Sequence, residues 1–135
     1  MSHLLAFVVE DSPVIRENLI AALEEMAPVK VVGTAIDQSG ALDWLGDPAN
    51  RCDIAIVDIF LRQGSGMGVL RALQAAGAGF ERVVLTNYAT ADIRRQCLAL
   101  GASAVFDKSG EIDALVDHCV TRAGERDPSR AAGAR

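Results

Sequence analysis

The chain has 135 residues, the size of one domain, and half of them are apolar, enough to build a core. A net charge of −5 and a pI near 4.9 argue against non-specific nucleic-acid binding, which relies on a basic surface. Cys52, Cys97 and Cys119 are far apart and form no CxxC, and with only His3 and His118 beside them they make no zinc site.

Leu4 to Val9 is a continuous apolar run, as expected of a strand buried on both faces. The N-terminus lacks a basic stretch and acidic residues follow at once, so this run reads as a strand and not as a signal peptide. Ser12-Pro13 supplies a helix cap followed by proline at the first helical position. Ile15, Leu19, Leu23 and Met26 then repeat every three to four residues as one helix face, closed by Pro28. Val29 to Ile36 is a second strand, and Ala41 to Leu45 lies in a short helix ending near Gly46-Asp47-Pro48.

A third apolar run, Ile54 to Leu61, contains Asp58. Gly64-Ser65-Gly66 breaks the chain before a helix with Met67, Leu70 and Leu73, which Gly77 and Gly79 end. Arg82 to Thr86 is a fourth strand, and a helix from about Thr90 to Leu100 stops at Gly101. Ala104 to Phe106 is a fifth strand, and Ile112, Leu115, Val116, Cys119, Val120 and Ala123 mark a last amphipathic helix. Strand and helix alternate five times, which implies an α/β domain, (βα)5, with a parallel sheet and helices on both faces. The domain is expected over residues 1–123, with 124–135 a mobile tail too short for an output domain. No run is long enough to span a membrane, and the scattered cysteines suit a reducing cytoplasm, each as a small apolar residue.

In open parallel sheets the ligand site lies beyond the carboxyl ends of the strands. Glu10 and Asp11 follow the first strand, Asp58 ends the third, Thr86 ends the fourth and Lys108 follows the fifth. Taken singly, each has an ordinary reading: a solvated turn, a helix cap, a β-former, a surface lysine. All four residue types at the right four strand ends arise by average usage in roughly one case in a thousand, so the conjunction carries the signal. Two carboxylates about 5 Å apart repel by roughly 3 kcal/mol at an effective dielectric of about 20. Three together therefore call for a raised pKa or a bound cation. An all-oxygen acidic site with room for waters suits Mg²⁺. Such an ion would keep Asp58 ionised and neutralise charge on an incoming phosphoryl group, with Lys108 as a second positive charge and Thr86 as a hydrogen-bonding hydroxyl.

VVEDSP, IAIVDIFL, VVLTNYA and GASAVFDKS stand in an order and spacing that resemble the response regulator receiver (CheY-like) family over roughly residues 4 to 123. The resemblance implies a flavodoxin-like fold with strand order 2-1-3-4-5. It implies that Glu10 and Asp11 are the acidic pair, Asp58 the phosphoacceptor, Thr86 the switch hydroxyl and Lys108 the family's lysine. It also implies a metal held by Glu10, Asp11, Asp58 and the backbone carbonyl of Phe60. The implied donor is a phosphohistidine on a sensor histidine kinase or histidine phosphotransfer protein. The output would be protein–protein signalling by a stand-alone cytoplasmic regulator, with neither DNA nor membrane contacted directly and homodimerisation left open. Helix 4, strand 5 and helix 5 form the family's usual binding face, where Ala91, Arg94, Arg95 and His118 are candidate exposed members.

Several positions depart from the family pattern. Val105 stands where an aromatic is usual, and Phe106 should point to the opposite face, because strand side chains alternate. Asn87 replaces a very small residue and narrows access to Asp58. Phe60 and Tyr88 are large residues flanking the pocket, and Ser109 stands where proline is common. Val105 and Asn87 keep open a pseudo-receiver that binds partners without phosphorylation, against which the acidic pair, Asp58 and Lys108 argue. An aspartyl-nucleophile hydrolase is disfavoured because DxDxT is missing after the first strand, and a flavin binder because no phosphate-cradling loop follows it.

Overall fold

The computed structural model describes residues 3–126. Five strands alternate with five helices: β1 Leu4–Val9, α1 Pro13–Met26, β2 Val29–Ala35, α2 Gln38–Gly46, β3 Ile54–Val57, α3 Gly66–Ala75, β4 Glu81–Thr86, α4 Ala91–Ala99, β5 Ala104–Asp107 and α5 Ile112–Arg126. The strands form one parallel sheet in the order β2-β1-β3-β4-β5. This is the expected flavodoxin-like α/β fold. The last helix passes Ala123 and includes Gly124, Glu125 and Arg126. The rest of the expected tail lies outside the described residues.

Helix starts follow their capping residues. The Ser12 hydroxyl accepts from the Ile15 N–H at 3.4 Å with Pro13 in the first turn, and Thr90 does the same for Ile93 at 3.1 Å. Asp37 caps α2 and Ser65 caps α3 through Gly40 and Gly68. Gly101 has φ +100°, the left-handed conformation that lets the chain leave α4.

Side-chain alternation sorts the strands into two faces. Ala6, Val8, Ile54, Ile56, Val83, Leu85 and Phe106 pack with Leu19 and Leu23 of α1 and with Leu115, Val116 and Cys119 of α5. On the other face Phe7, Val9, Ala55 and Val57 meet α2 and α3, while Val84 and Val105 meet Leu70 of α3 and Cys97 of α4. Val105 and Phe106 thus belong to opposite cores. Each fully buried aliphatic side chain contributes about 1.5–3 kcal/mol. Of the apolar face expected on α1, only Leu19 and Leu23 are buried; Ile15 and Met26 are exposed at its two ends. The cysteines form no disulfide, and burial pushes the thiols of Cys52 and Cys119 up to about 11 and about 12, as inert packing residues.

β1 lies between β2 and β3, so the chain leaves it to one side first and to the other side later. That reversal opens a crevice at the carboxyl ends of β1 and β3.

Candidate functional site

Glu10 and Asp11 leave β1 into that crevice, and Asp58 stands directly after Val57 of β3. The backbone fixes both segments: the Asp58 N–H donates to the Val9 carbonyl at 3.0 Å, and the Glu10 N–H to the Ala35 carbonyl at 3.0 Å. Gly66 packs so tightly under this turn that a Cβ there would lie 2.1 Å from the Asp58 carbonyl oxygen. No larger residue fits without moving the aspartate. Sequence reading saw this glycine only as a chain break.

The three carboxylates offer oxygens that all lie within 4.8 Å of one another. Glu10 and Asp58 are buried and Asp11 is half-buried. Lys108, following β5, reaches across the sheet to both buried acids. Its ammonium donates to Asp58 Oδ2 at 2.8 Å and to Glu10 Oε1. Burial alone would lower the lysine's pKa, but its hydrogen bonds to Asp58 and Glu10 outweigh that and raise it above 10.5. Burial pushes Glu10 above its ordinary 4.5 against the pull of Lys108 and of the Ser12 N–H at 3.1 Å. Asp11 accepts the Arg62 N–H at 2.8 Å, and Asp58 Oδ1 accepts the Phe60 N–H at 3.3 Å. Glu10 and Asp58 therefore share one buried ammonium with Asp11 beside them, and the donor set is all oxygen. Those properties fit a hard divalent cation.

The pocket above them measures about 200 Å³ and is lined by Glu10, Asp11, Asp58 and Lys108 together with Ser12, Ile15, Phe60, Asn87 and Tyr88. Phe60 and Tyr88 are more than half exposed, and their rings meet edge to face across the mouth at 4.9 Å. Asn87 forms part of the wall. Thr86 is fully buried and does not line the pocket; its hydroxyl accepts the Tyr88 N–H at 3.2 Å, and its carbonyl accepts the Lys108 N–H at 2.9 Å. Four of the five side chains singled out in the sequence thus meet, and the fifth, Thr86, is buried outside the pocket lining.

A family model described as "Response regulator receiver domain" matches residues 6–119. The chain belongs to this family. Among curated proteins, the DNA-binding transcriptional activator DevR/DosR of Mycobacterium tuberculosis is 30% identical over 102 residues, covering 76% of this chain and 46% of that protein. The chain spans roughly a third to a half of the curated relatives it matches. Among solved structures, the signal receiver domain of NarL from Mycobacterium tuberculosis superposes with a TM-score of 0.81 at 25% identity, over 93% of this chain and 100% of that one. A CheY-like receiver domain protein from Methanospirillum hungatei JF-1 superposes at 0.78 with 21% identity, over 92% and 96%. No helix among the described residues of this receiver domain is long and apolar enough to cross a membrane.

One residue that sequence reading did not assign supports the receiver site. Arg16 of α1 donates to the Glu10 carbonyl at 3.0 Å and anchors the acidic turn. Arg94, expected as an exposed member of the α4 face, is half-buried and hydrogen-bonded to backbone on two sides. His118, also expected there, packs against the Phe106 ring at 5.6 Å and bonds Glu81 at 2.7 Å. Ala91 and Arg95 are exposed, as expected.

Proposed function

We propose that this receiver domain accepts a phosphoryl group on Asp58 from a phosphohistidine of a sensor histidine kinase or histidine phosphotransfer protein. The observation that carries the reading is the cluster of three carboxylates at the carboxyl edge of the sheet, two of them bonded to the buried Lys108 ammonium. Glu10, Asp11, Asp58 and the Phe60 carbonyl would hold Mg²⁺. When bound, the ion neutralises phosphoryl oxygens and keeps the acceptor carboxylate ionised.

The chain's own groups do the rest. An Asp58 carboxylate oxygen forms a bond to phosphorus as the bond from phosphorus to the donor's imidazole nitrogen breaks, and the imidazole leaves with that electron pair. Lys108, already bonded to Asp58, turns its ammonium to the transferred group. The Thr86 hydroxyl reaches that group by an inward movement of the β4–α4 segment. The new population of conformers is read by a partner protein at the surface of α4, β5 and α5. The role is that of a phosphoacceptor signalling domain and not of an enzyme acting on a separate substrate. A net charge of −5 supports a protein partner over direct DNA contact, and three unpaired cysteines support a cytoplasmic setting.

Incubation with Mg²⁺ and a small acyl phosphate, followed by intact mass measurement, tests this. A single phosphate adduct is expected, absent without Mg²⁺ and lost in Asp58→Asn. No adduct on the wild-type protein would instead favour a receiver that binds partners unphosphorylated, for which Asn87 in the pocket wall is the supporting feature.

A further inference from the structure

Val105 of β5 is a buried aliphatic residue packed with Leu70 and Cys97. Arg94 of α4 also bonds its backbone. The Arg94 guanidinium donates to the Val105 carbonyl at 2.8 Å, to the Ala89 carbonyl at 3.0 Å and to Glu111 Oε1 at 2.8 Å. The same Glu111 oxygen accepts the Asp107 N–H at 2.9 Å.

These contacts close a ring. Ala89 lies three residues after Thr86, and Asp107 directly precedes Lys108. The Lys108 N–H returns to the Thr86 carbonyl at 2.9 Å. We infer that Arg94 is a positioning residue that couples the segment carrying Thr86 to the segment carrying Lys108, and so links the state of the pocket to α4. The inference rests on the phosphoacceptor reading above.

The coupling follows from the shape of the guanidinium. Its donors are rigid and coplanar, so three acceptors on three segments stay satisfied only while those segments keep one relative placement. A shift of Thr86 or Lys108 toward a phosphoryl group moves Ala89 or Asp107, and the fork must carry α4 along or let go. Arg94 and Glu111 are both more than a third exposed in their side chains, so water can take over either partner and release is accessible. A fork with a held and a released state is the two-state element that coupling requires.

The test compares the full chain with Arg94→Ala, Arg94→Lys and Glu111→Gln. Each is titrated with Mg²⁺ and then with beryllofluoride while backbone amide NMR shifts are followed, and a thermal midpoint reports folding. In the wild type, amides of Ile93, Cys97 and Val105 are expected to shift along with those of the pocket. In Arg94→Ala and Arg94→Lys the pocket amides still shift and Mg²⁺ affinity stays within about twofold, while the α4 response falls at least threefold. Glu111→Gln, whose change lies on a half-exposed side chain, is expected to halve that response and keeps the test alive if Arg94→Ala does not fold. An undiminished α4 response in these variants overturns the coupling alone. A wild-type protein that binds neither Mg²⁺ nor beryllofluoride overturns the pocket reading and the coupling together.

Discussion

The two edges of the sheet hold similar residue types in opposite states. At the amino edge, Glu81 is bonded by Arg122 at 2.7 Å, His118 at 2.7 Å and Ser103 at 2.5 Å, and the Asp53 carboxylate accepts the Leu5 N–H at 2.7 Å. The cavity there is larger, about 770 Å³ against about 200 Å³, and its wall includes Glu81, Arg122 and Asp53. At the carboxyl edge three carboxylates cluster, and the two buried ones share one ammonium. Volume therefore does not mark the site; uncompensated charge does. A balanced network holds structure in place, and an unbalanced one retains capacity for a cation.

The largest expected effect comes from removing the Lys108 ammonium at the acidic edge. Lys108→Met leaves two buried carboxylates without their counter-charge and should cost about 3 kcal/mol of stability in urea unfolding without metal. Added Mg²⁺ should then stabilise the variant more than it stabilises the wild type, because the ion supplies the missing charge. A variant as stable as the wild type without metal would mean that the two acids do not depend on Lys108, and the contrast between the edges would fail.

The amino edge should respond differently. Burial alone would raise the Glu81 pKa, but hydrogen bonds from Ser103, His118 and Arg122 outweigh it and hold the carboxyl below its ordinary 4.5. A depressed carboxylate stabilises the fold above pH 4.5, and that stability is lost as pH falls through the lowered value. Glu81→Gln should cost about 2 kcal/mol at pH 7. The gap from the wild type should narrow as pH drops below 4.5, and Mg²⁺ should restore none of it. Recovery of this variant with Mg²⁺ would place a cation site at the wrong edge.

What could be read from the sequence divides along similar lines. Strand ends, caps and apolar runs are local, so Ser12, Thr90 and Asp58 sit where the sequence puts them, and the sheet order followed from a family resemblance. The acidic cluster was legible because strand ends converge by topology, which turns distant residues into neighbours without any side-chain detail. Arg94 was not legible. Its partners lie 11 and 17 residues away and include a backbone carbonyl, and an arginine on a helix face looks like any solvated position. Gly66 was visible as a break, but not as the residue that the Asp58 carbonyl requires. The exclusion of the buried Thr86 side chain from the pocket wall depends on side-chain placement that no strand pattern encodes.

The smallest expected effect concerns the rim. Phe60 and Tyr88 come from different loops, one after Asp58 and one after Thr86, and their rings touch over the pocket while remaining mostly exposed. Exposed aromatic rings in mutual contact add little to folding, but here they line the pocket and would shield a phosphoryl group accepted on Asp58 from water. Replacing both with serine should leave the unfolding midpoint nearly unchanged and shorten the phosphoryl lifetime roughly tenfold, equivalent to about 1.4 kcal/mol in the barrier to hydrolysis. Either single change should do less, because one ring still covers part of the mouth. The decay of the phosphate adduct, followed by intact mass over time, separates the effects. An unchanged lifetime in the double variant would show that the rings do not govern water entry, and the acidic edge would then differ from the amino edge by its charge alone.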